Sequence, residues 1–496
     1  MNDWSAKAER INPMQGALFR RTVPTKRFAL YDSTVASPLG VSQRASRGAH
    51  RLAFAGIYLF TLLVYLRPHE IIPGVFFGLP APKLVAISVI LIYIGSKLSA
   101  SERLITWSLE LKMMTLVCAL GFLFAPMAAS PADSFNVLFD PLLKLLLVLI
   151  LQINLVDTRQ RFHSMLGIIV FCEALYSLSS IKTFLTGGFA EATSFHTRID
   201  GWGSQLGNPN DIACVLALMA PFTVIRAMMR RGWKRWFYFA CVGVTVVAIL
   251  FTYSRSGFIA LTASCSLLIW KATRGRRVKM LLSLTALAAV MLASMPGRYM
   301  VRLSTIINPE TDTTHSAQER QEHMKRAFEV AKSRPIFGVG IGNFHIYSIS
   351  EMRAHNAYLE MAAELGVIGL IAFLVIIFAP LRSLRRIERE TAADGPWPDP
   401  GKYTVSVCLQ ASFVAFLVYG FFGSIQYDSY LYSLVAFAVA FRRIHAAEIQ
   451  AAAGAGNGAE SPLSKALAHP AKGAFWRSRE VRECRLKGNM YSRLSI

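Results

Sequence analysis

Long apolar stretches separated by short polar segments dominate this chain. Each stretch runs for about 17 to 25 residues, long enough for a helix to cross roughly 30 Å of hydrocarbon. The stretches are too long and too uniformly apolar for the strands of a membrane barrel. The pattern therefore predicts an all-α polytopic membrane protein with about twelve transmembrane helices. The expected span centres are Phe60, Leu91, Leu120, Leu147, Ile169, Leu218, Val246, Ser264, Leu287, Leu370, Phe413 and Val435.

Composition agrees with a membrane protein, and charge does not change that conclusion. Hydrophobic residues make up 53% of the chain, and the mean hydropathy is +0.40. The net charge of +23 is compatible with nucleic-acid binding. However, the basic residues lie in short clusters beside the spans, and no soluble domain is present to carry a binding groove. We expect the lipid bilayer as a partner and no nucleic acid.

Basic residues are distributed unevenly between the two sides of the predicted bundle. Clusters of Lys and Arg follow the sixth, eighth and tenth spans, within residues 226–235, 271–279 and 382–389. Short loops rich in Lys and Arg stay on the cytoplasmic side, so both termini are expected there. The predicted organisation is a flexible basic tail over 1–51, membrane helices 1–9 over 52–295, a long loop on the opposite side over 296–355, membrane helices 10–12 over 356–445 and a flexible tail over 446–496.

The long loop combines a charged helix with a glycine-rich segment. Helical periodicity before Pro335 predicts an amphipathic helix with Arg320 on or beside its membrane-facing side. The segment GVGIGNF that follows is superficially similar to a dinucleotide-binding loop. Asn343 takes the place of the last glycine of that motif, however, and no strand precedes it. We expect a tight turn whose backbone approaches a helix end or a ligand.

The spacing of cysteine and histidine gives no indication of a disulfide or a metal site. The seven cysteines are scattered, and the long loop contains none of them. The histidines lack metal-ligand spacing such as that of HExxH. We therefore predict no metal and no cofactor.

Two further polar segments are expected on the same side as the long loop. In TYSRSG, Arg255 interrupts an apolar run, and its forked guanidinium suits two-point contact with phosphate oxygens, although a snorkelling interfacial arginine is the alternative. In GNPND, Asn210 or Asp211 is expected to cap the sixth span. Arg198 precedes this turn and could add a phosphate contact.

His355 and Asn356 stand at the start of the tenth span. A helix beginning there places Asn356 and Glu360 on one face. A capping segment with a solvated histidine is one interpretation. The other is catalytic, because an imidazole titrates near neutral pH and can accept a proton from an attacking hydroxyl.

Taken in order, GNPND, SRSG, the loop-helix arginine, PIFGVGIGNF and HNAYLEMAAELGVIGLIAFL resemble the O-antigen ligase and Wzy-type polymerase superfamily over roughly residues 208–374. The resemblance implies a GT-C-like fold and metal-independent, inverting transfer of a glycan from undecaprenyl diphosphate on the periplasmic face of a bacterial inner membrane. It makes residues 296–355 a periplasmic catalytic loop. It implies catalytic roles for His355, Arg320 and Arg255. The substrate-binding candidates are Arg198, Asn208, Asn210, Arg326, Asn356 and Glu360.

Several alternatives stay open from the sequence. The family often carries an aromatic a few residues after the loop-helix arginine, whereas this chain has His323 and Met324, which makes Arg326 the reserve for Arg320. The acceptor could be a glycan, a lipid or a protein, so a protein O-oligosaccharyltransferase is an alternative. A secondary transporter or exporter of an anionic solute is another, although such proteins carry internal repeats and no convincing repeat is visible.

Overall fold

The computed structural model describes residues 51–66, 81–99, 101–186, 208–273, 276–293 and 316–455. Within these ranges every regular element is a helix and no strand occurs. The predicted all-α class is therefore confirmed for the described residues. Of the expected tails over 1–51 and 446–496, residues 1–50 and 456–496 lie outside these ranges, as do residues 296–315 of the long loop.

Each expected span centre falls within its own helix. Among the described residues, eight helical segments are long and apolar enough to cross a membrane: 82–99, 109–127, 131–155, 159–185, 209–229, 233–251, 357–391 and 400–419. The chain is therefore a multi-pass membrane protein, while the full count of twelve spans and the GT-C-like topology stay predictions. Within the described ranges, and in chain order, the helices before the long loop are α1 (Arg51–Leu66), α2 (Ala81–Ser99), α3 (Leu109–Phe124), α4 (Pro131–Leu155), α5 (Arg159–Leu185), α6 (Pro209–Met229), α7 (Trp233–Phe251), α8 (Arg255–Ala272) and α9 (Arg277–Ala293).

The long loop carries a helix of its own before the chain returns to the apolar phase. Helix α10 spans Ser316–Ser333 and ends just before Pro335, as the sequence predicts. Two short turns, Phe344–Tyr347 and Ile349–Glu351, follow the glycine-rich segment. The last three helices are α11 (Ala357–Thr391), α12 (Pro400–Tyr419) and α13 (Ser429–Ala455).

Helix α13 continues further than the sequence pattern indicates. The predicted membrane region ends at residue 445, but α13 extends to Ala455, so residues 446–455 are helical rather than part of a flexible tail. The physical reason is local. The segment AAEIQAAA is rich in alanine, which has the highest intrinsic helix propensity, and a glycine-rich segment starts only after it.

Contacts between distant segments divide the bundle into two ends. At one end, here called the loop end, α10 and its turns meet the starts of α4 and α11, the start of α8 meets the start of α6, and the start of α11 meets the connection 420–428. The other end, the basic end, contains the ion pairs Arg442–Glu110, Lys271–Glu388 and Arg159–Asp399. Each of these contacts joins segments that alternating spans place on the same side, which agrees with the predicted topology.

The glycine-rich turn fills a break in helix α11. At Gly366 the backbone leaves the helical region, with φ 66° and ψ −166°. Two N–H groups of the turn donate to the carbonyls of Ala363 and Glu364 at 2.9 and 3.0 Å, and the Val367 N–H donates to the Pro335 carbonyl at 2.7 Å. The expected close approach of this turn to a helix is confirmed. The turn thereby satisfies backbone groups that the break would leave unpaired.

Candidate functional site

The structure brings the GNPND and SRSG segments together at the loop end. The Ser254 hydroxyl donates to the side-chain oxygen of Asn210 at 2.9 Å and also accepts from the Gly257 N–H, so it caps α8. Gly257 packs so closely on α6 that a Cβ there would overlap Ala213. Asn208 caps α6 through the Asn210 N–H at 2.9 Å. The expectation of a cap at Asn210 or Asp211 is therefore wrong, because both residues already lie in the first turn of the helix. These contacts fix the start of α8 against the start of α6.

Arg255 is the first residue of α8 and is half-buried. The next residue, Ser256, lies against the Tyr419 hydroxyl at the end of α12. Arg320 and Asp211 are close enough to act electrostatically on the same tyrosine. Tyr419 is therefore a common neighbour of the α6, α8 and α10 segments, which are widely separated in sequence.

Helix α10 packs its apolar side against the loop end, as predicted. Ala327 and Val330 are buried in a small core with Phe344 and Ala354. Arg320 is half-buried on the same helix, one turn before the buried His323. The charged residues Lys325, Glu329 and Lys332 occupy the other side and are not buried.

The two arginines of α10 have different surroundings. Arg326 donates through Nε to the Tyr347 carbonyl at 2.7 Å and pairs with Glu329 at 3.2 Å, so its guanidinium binds the loop itself. Arg320 acts electrostatically on His355 and on Tyr419. Their contacts favour Arg320 over Arg326 as the arginine that faces the site.

His355 has a strained backbone and a shielded imidazole. Its φ is +51°, a left-handed conformation uncommon outside glycine. Its ring centre lies 6.1 Å from that of His323. Burial, followed by the positive charge of Arg320 and the effects of His323 and Arg353, lowers the pKa of His355 from 6.5 to about 4. The imidazole is half-buried, and its lowered pKa keeps it in the neutral form that can accept a proton.

Asn356 caps the membrane helix that follows His355. Its side-chain oxygen accepts from the N–H groups of Tyr358 and Leu359 at 3.1 and 3.0 Å. Its amide nitrogen lies 3.5 Å from the Phe421 carbonyl. The sequence-based assignment of Asn356 to substrate binding stays a prediction, and the cap is the role that its contacts support.

Glu360 lies one turn into α11 and is 2% exposed. One carboxylate oxygen accepts from the Ala354 N–H at 3.0 Å and from the Ser424 hydroxyl. The other accepts from the Gln426 side chain at 2.8 Å and lies 3.7 Å from the Arg353 Nε. Both oxygens are thus occupied by protein donors.

The connection 420–428 contributes to the site although the sequence analysis assigns it no role. Ser424 and Gln426 hold Glu360, and the Tyr427 hydroxyl donates to Glu364 at 2.7 Å. Arg353 is a further cation beside His355 that the sequence analysis did not single out. The available signal was the polar run SIQYD between two apolar spans, on the side where the long loop was expected.

Some predicted features are not addressed by this geometry. Arg198 and residues 296–315 lie outside the described residues. Within the described ranges, no group of three or more His, Cys, Asp and Glu side chains is arranged to hold a metal ion. A cleft lined by Arg159, His163, Lys402 and His445 lies at the basic end and contains none of the predicted site residues.

Comparison with known proteins finds a match to one family within the membrane region. Residues 239–374 match the family model described as O-antigen ligase. The matched segment contains Arg255, Arg320 and His355, while Asn208 and Asn210 precede it. No curated protein matches the chain.

Proposed function

We propose, on the premise that this chain belongs to the O-antigen ligase family through residues 239–374, that it transfers a glycan from undecaprenyl diphosphate to an acceptor hydroxyl. In this proposal the loop end faces the periplasm of a bacterial inner membrane, and both termini are cytoplasmic. The observation that carries the proposal is the meeting of Arg320 and a shielded, neutral His355 at one end of the bundle, within the matched segment.

The residues suit a direct displacement at the anomeric carbon. The acceptor oxygen forms a bond to that carbon while the bond to the diphosphate oxygen breaks, and the electron pair leaves with the diphosphate. Attack from the opposite face inverts the configuration. The acceptor proton passes to the neutral imidazole of His355, so all atoms and charges are accounted for.

Arginines provide the electrostatic part of the reaction. Negative charge grows on the departing diphosphate oxygen, and preorganised guanidinium groups in a poorly hydrated site stabilise it by about 3 kcal/mol per donor. We assign this role to Arg320 and Arg255. Asn208 and Asn210 stay substrate-binding candidates by proposal, with the added role of ordering the start of α6 beside Arg255.

The pH dependence of transfer should report the state of His355. The free enzyme has a His355 pKa of about 4, because of burial and then the neighbouring cations. The neutral, proton-accepting form therefore persists down to that pH, and kcat/KM should fall only near pH 4. A bound diphosphate brings negative charge beside the imidazole, which favours the protonated form and raises its pKa. The acid limb of kcat should therefore lie at higher pH than that of kcat/KM.

Rate measurements from pH 4 to 8 check this prediction. His345→Gln is a suitable control, because that histidine lies in the same loop but contacts Gly342 and Asp133 instead of the site. The His345→Gln variant should show the same acid limbs in kcat and in kcat/KM as the wild type. An acid limb near 6.5 in kcat/KM would contradict the shielding of His355.

Two alternative functions, a transporter and a protein O-oligosaccharyltransferase, can be distinguished from the main proposal. A broken membrane helix such as α11 is a feature of transporters, where the break lines a substrate path. In this protein the loop backbone fills the break at Gly366, which favours a fixed site over a moving gate. A protein O-oligosaccharyltransferase would use the same donor and differ only in its acceptor.

The first experiment is a transfer assay with purified full-length protein in nanodiscs. The donor is an oligosaccharide on undecaprenyl diphosphate, and lipid A core, free glycan and a serine-rich peptide are supplied as acceptors in parallel. Transfer that persists with a chelator supports the metal-independent mechanism. Absence of transfer to all three acceptors, with uptake of an anionic solute in proteoliposomes, would replace the enzyme by the transporter.

A pair of arginine variants tests the site within this assay. Arg320→Ala should lower kcat/KM by about 10²-fold or more, because it removes a cation from the leaving diphosphate. Arg326→Ala should lower it by less than about tenfold, because its contacts are with Tyr347 and Glu329 of the loop. The two residues share one helix, so each serves as the control for the other. The reverse order of effects would transfer the role to Arg326.

A further inference from the structure

We infer that Glu360 is a positioning residue that holds His355 in its strained conformation, and not a ligand of the glycan donor. This inference rests on the proposed role of His355 in transfer. It also changes the sequence-based expectation for Glu360, which was substrate binding.

Protein donors occupy both oxygens of the Glu360 carboxylate. A carboxylate that binds substrate keeps lone pairs accessible, whereas Glu360 is 2% exposed. Its two oxygens accept from Ala354, Ser424 and Gln426, and Arg353 lies beside them. A buried carboxylate with this many donors has its hydrogen-bonding requirement met within the protein, and its oxygens are not exposed for contact with a ligand.

Hydrogen bonds hold the chain on both sides of His355. Ala354 immediately precedes His355, and its N–H points to Glu360 at 3.0 Å. On the other side of His355, the Ala357 N–H donates to the Gly420 carbonyl at 2.8 Å. The histidine is therefore held from both flanks against the connection 420–428. Such a framework is needed, because a non-glycine residue at φ +51° persists only where its surroundings enforce it.

An ionised carboxylate suits this position, because it only accepts hydrogen bonds and all its neighbours donate them. The Glu360 carboxylate joins three separate pieces of chain, namely the segment before His355, helix α11 and the connection 420–428. A neutral amide in its place would direct an N–H₂ group at one of the present donors. Glu360→Gln should therefore release one contact and loosen the His355 segment, while a side chain of the same size remains.

A double-mutant cycle tests the inference in the transfer assay. Glu360→Gln should lower kcat by roughly 10-fold to 100-fold and leave the KM for the lipid-linked donor within about twofold. In a His355→Ala background, assayed with excess enzyme and long incubation, the same substitution should cause no further loss. A residue that acts only through His355 has no effect once the imidazole is gone.

Hydrogen–deuterium exchange provides a readout that does not need transfer. Loss of the carboxylate should speed exchange of the peptide that covers residues 353–357. If the wild type shows no transfer but this exchange accelerates, the proposed function fails and the restraint on the His355 segment stands. If the wild type is active and the two substitutions are additive in kcat, or KM rises with kcat unchanged, the inference is overturned.

Two control variants keep the test decisive. Glu388→Gln removes another buried carboxylate from α11, at the basic end where Lys271 and Gln410 contact it, and should leave exchange at 353–357 unchanged. Should Glu360→Gln fail to fold, Ser424→Ala removes a single donor from Glu360. That variant should lower kcat by a fewfold and also lose its effect in the His355→Ala background. If the effects of Ser424→Ala and His355→Ala on kcat are additive, the inference is overturned in this case as well.

Discussion

Replacing Gly366 with alanine should give the largest loss of folded protein among single substitutions at the loop end. The residue has φ 66° and ψ −166°, a backbone region that is essentially restricted to glycine. A Cβ there would overlap the carbonyl of Ile336 and lie 2.7 Å from the Phe337 nitrogen. Both neighbours are backbone atoms of the glycine-rich turn, so no side-chain rotation relieves the overlap. We expect a cost of about 1–3 kcal/mol from conformation alone, to which the overlap adds.

The thermal midpoint in detergent and the yield of monodisperse protein measure this effect. Gly243→Ala is the matched control, because Gly243 lies within helix α7 and a Cβ there would meet nothing within 4 Å. Alanine should be neutral or slightly stabilising at that position. A Gly366→Ala protein with the wild-type midpoint would mean that α11 can straighten and the turn can leave the break.

The sequence predicted the helices well because a membrane span is a local signal. Each apolar stretch encodes its own helix, and Pro335 and Asn356 marked helix boundaries through chemistry within a few residues. The break at Gly366 was not predicted. A glycine inside an apolar span is commonly tolerated as helix, and its partner here is backbone some 30 residues earlier in the chain.

Local motifs identified some residues of the site, whereas contacts between distant segments of the chain determine the roles of others. His355 and Arg320 were identified from motifs, but the link from Glu360 to Ser424 and Gln426 spans 64 and 66 residues. Nothing in the motif HNAYLE indicates that its glutamate is held by protein donors from the connection 420–428. The choice between Arg320 and Arg326 was similarly open, since it depends on which side of α10 packs against the bundle. That side is set by tertiary contacts.

His355→Ala should produce the largest loss of activity among the site variants, without a comparable loss of stability. The imidazole is the group assigned to accept the acceptor proton, and a positioned general base contributes roughly 10² to 10⁴ in rate. Alanine also removes no buried hydrogen bond from the described contacts of the helix cap, since the cap is made by Asn356. We therefore expect kcat to fall by that factor while the donor still binds.

The measurement is kcat and donor affinity for His355→Ala beside His323→Ala. His323 is a useful comparison because it is the neighbouring imidazole, 6.1 Å away, and it contacts Ser348 of the loop at 3.2 Å. If proton transfer belongs to His355 alone, His323→Ala should reduce kcat far less. Its small effect would come from a slightly altered pKa of His355, since His323 contributes to lowering that pKa. Equal losses in both variants would instead indicate that the two histidines share the proton, and undiminished transfer by His355→Ala would remove that residue from the chemistry.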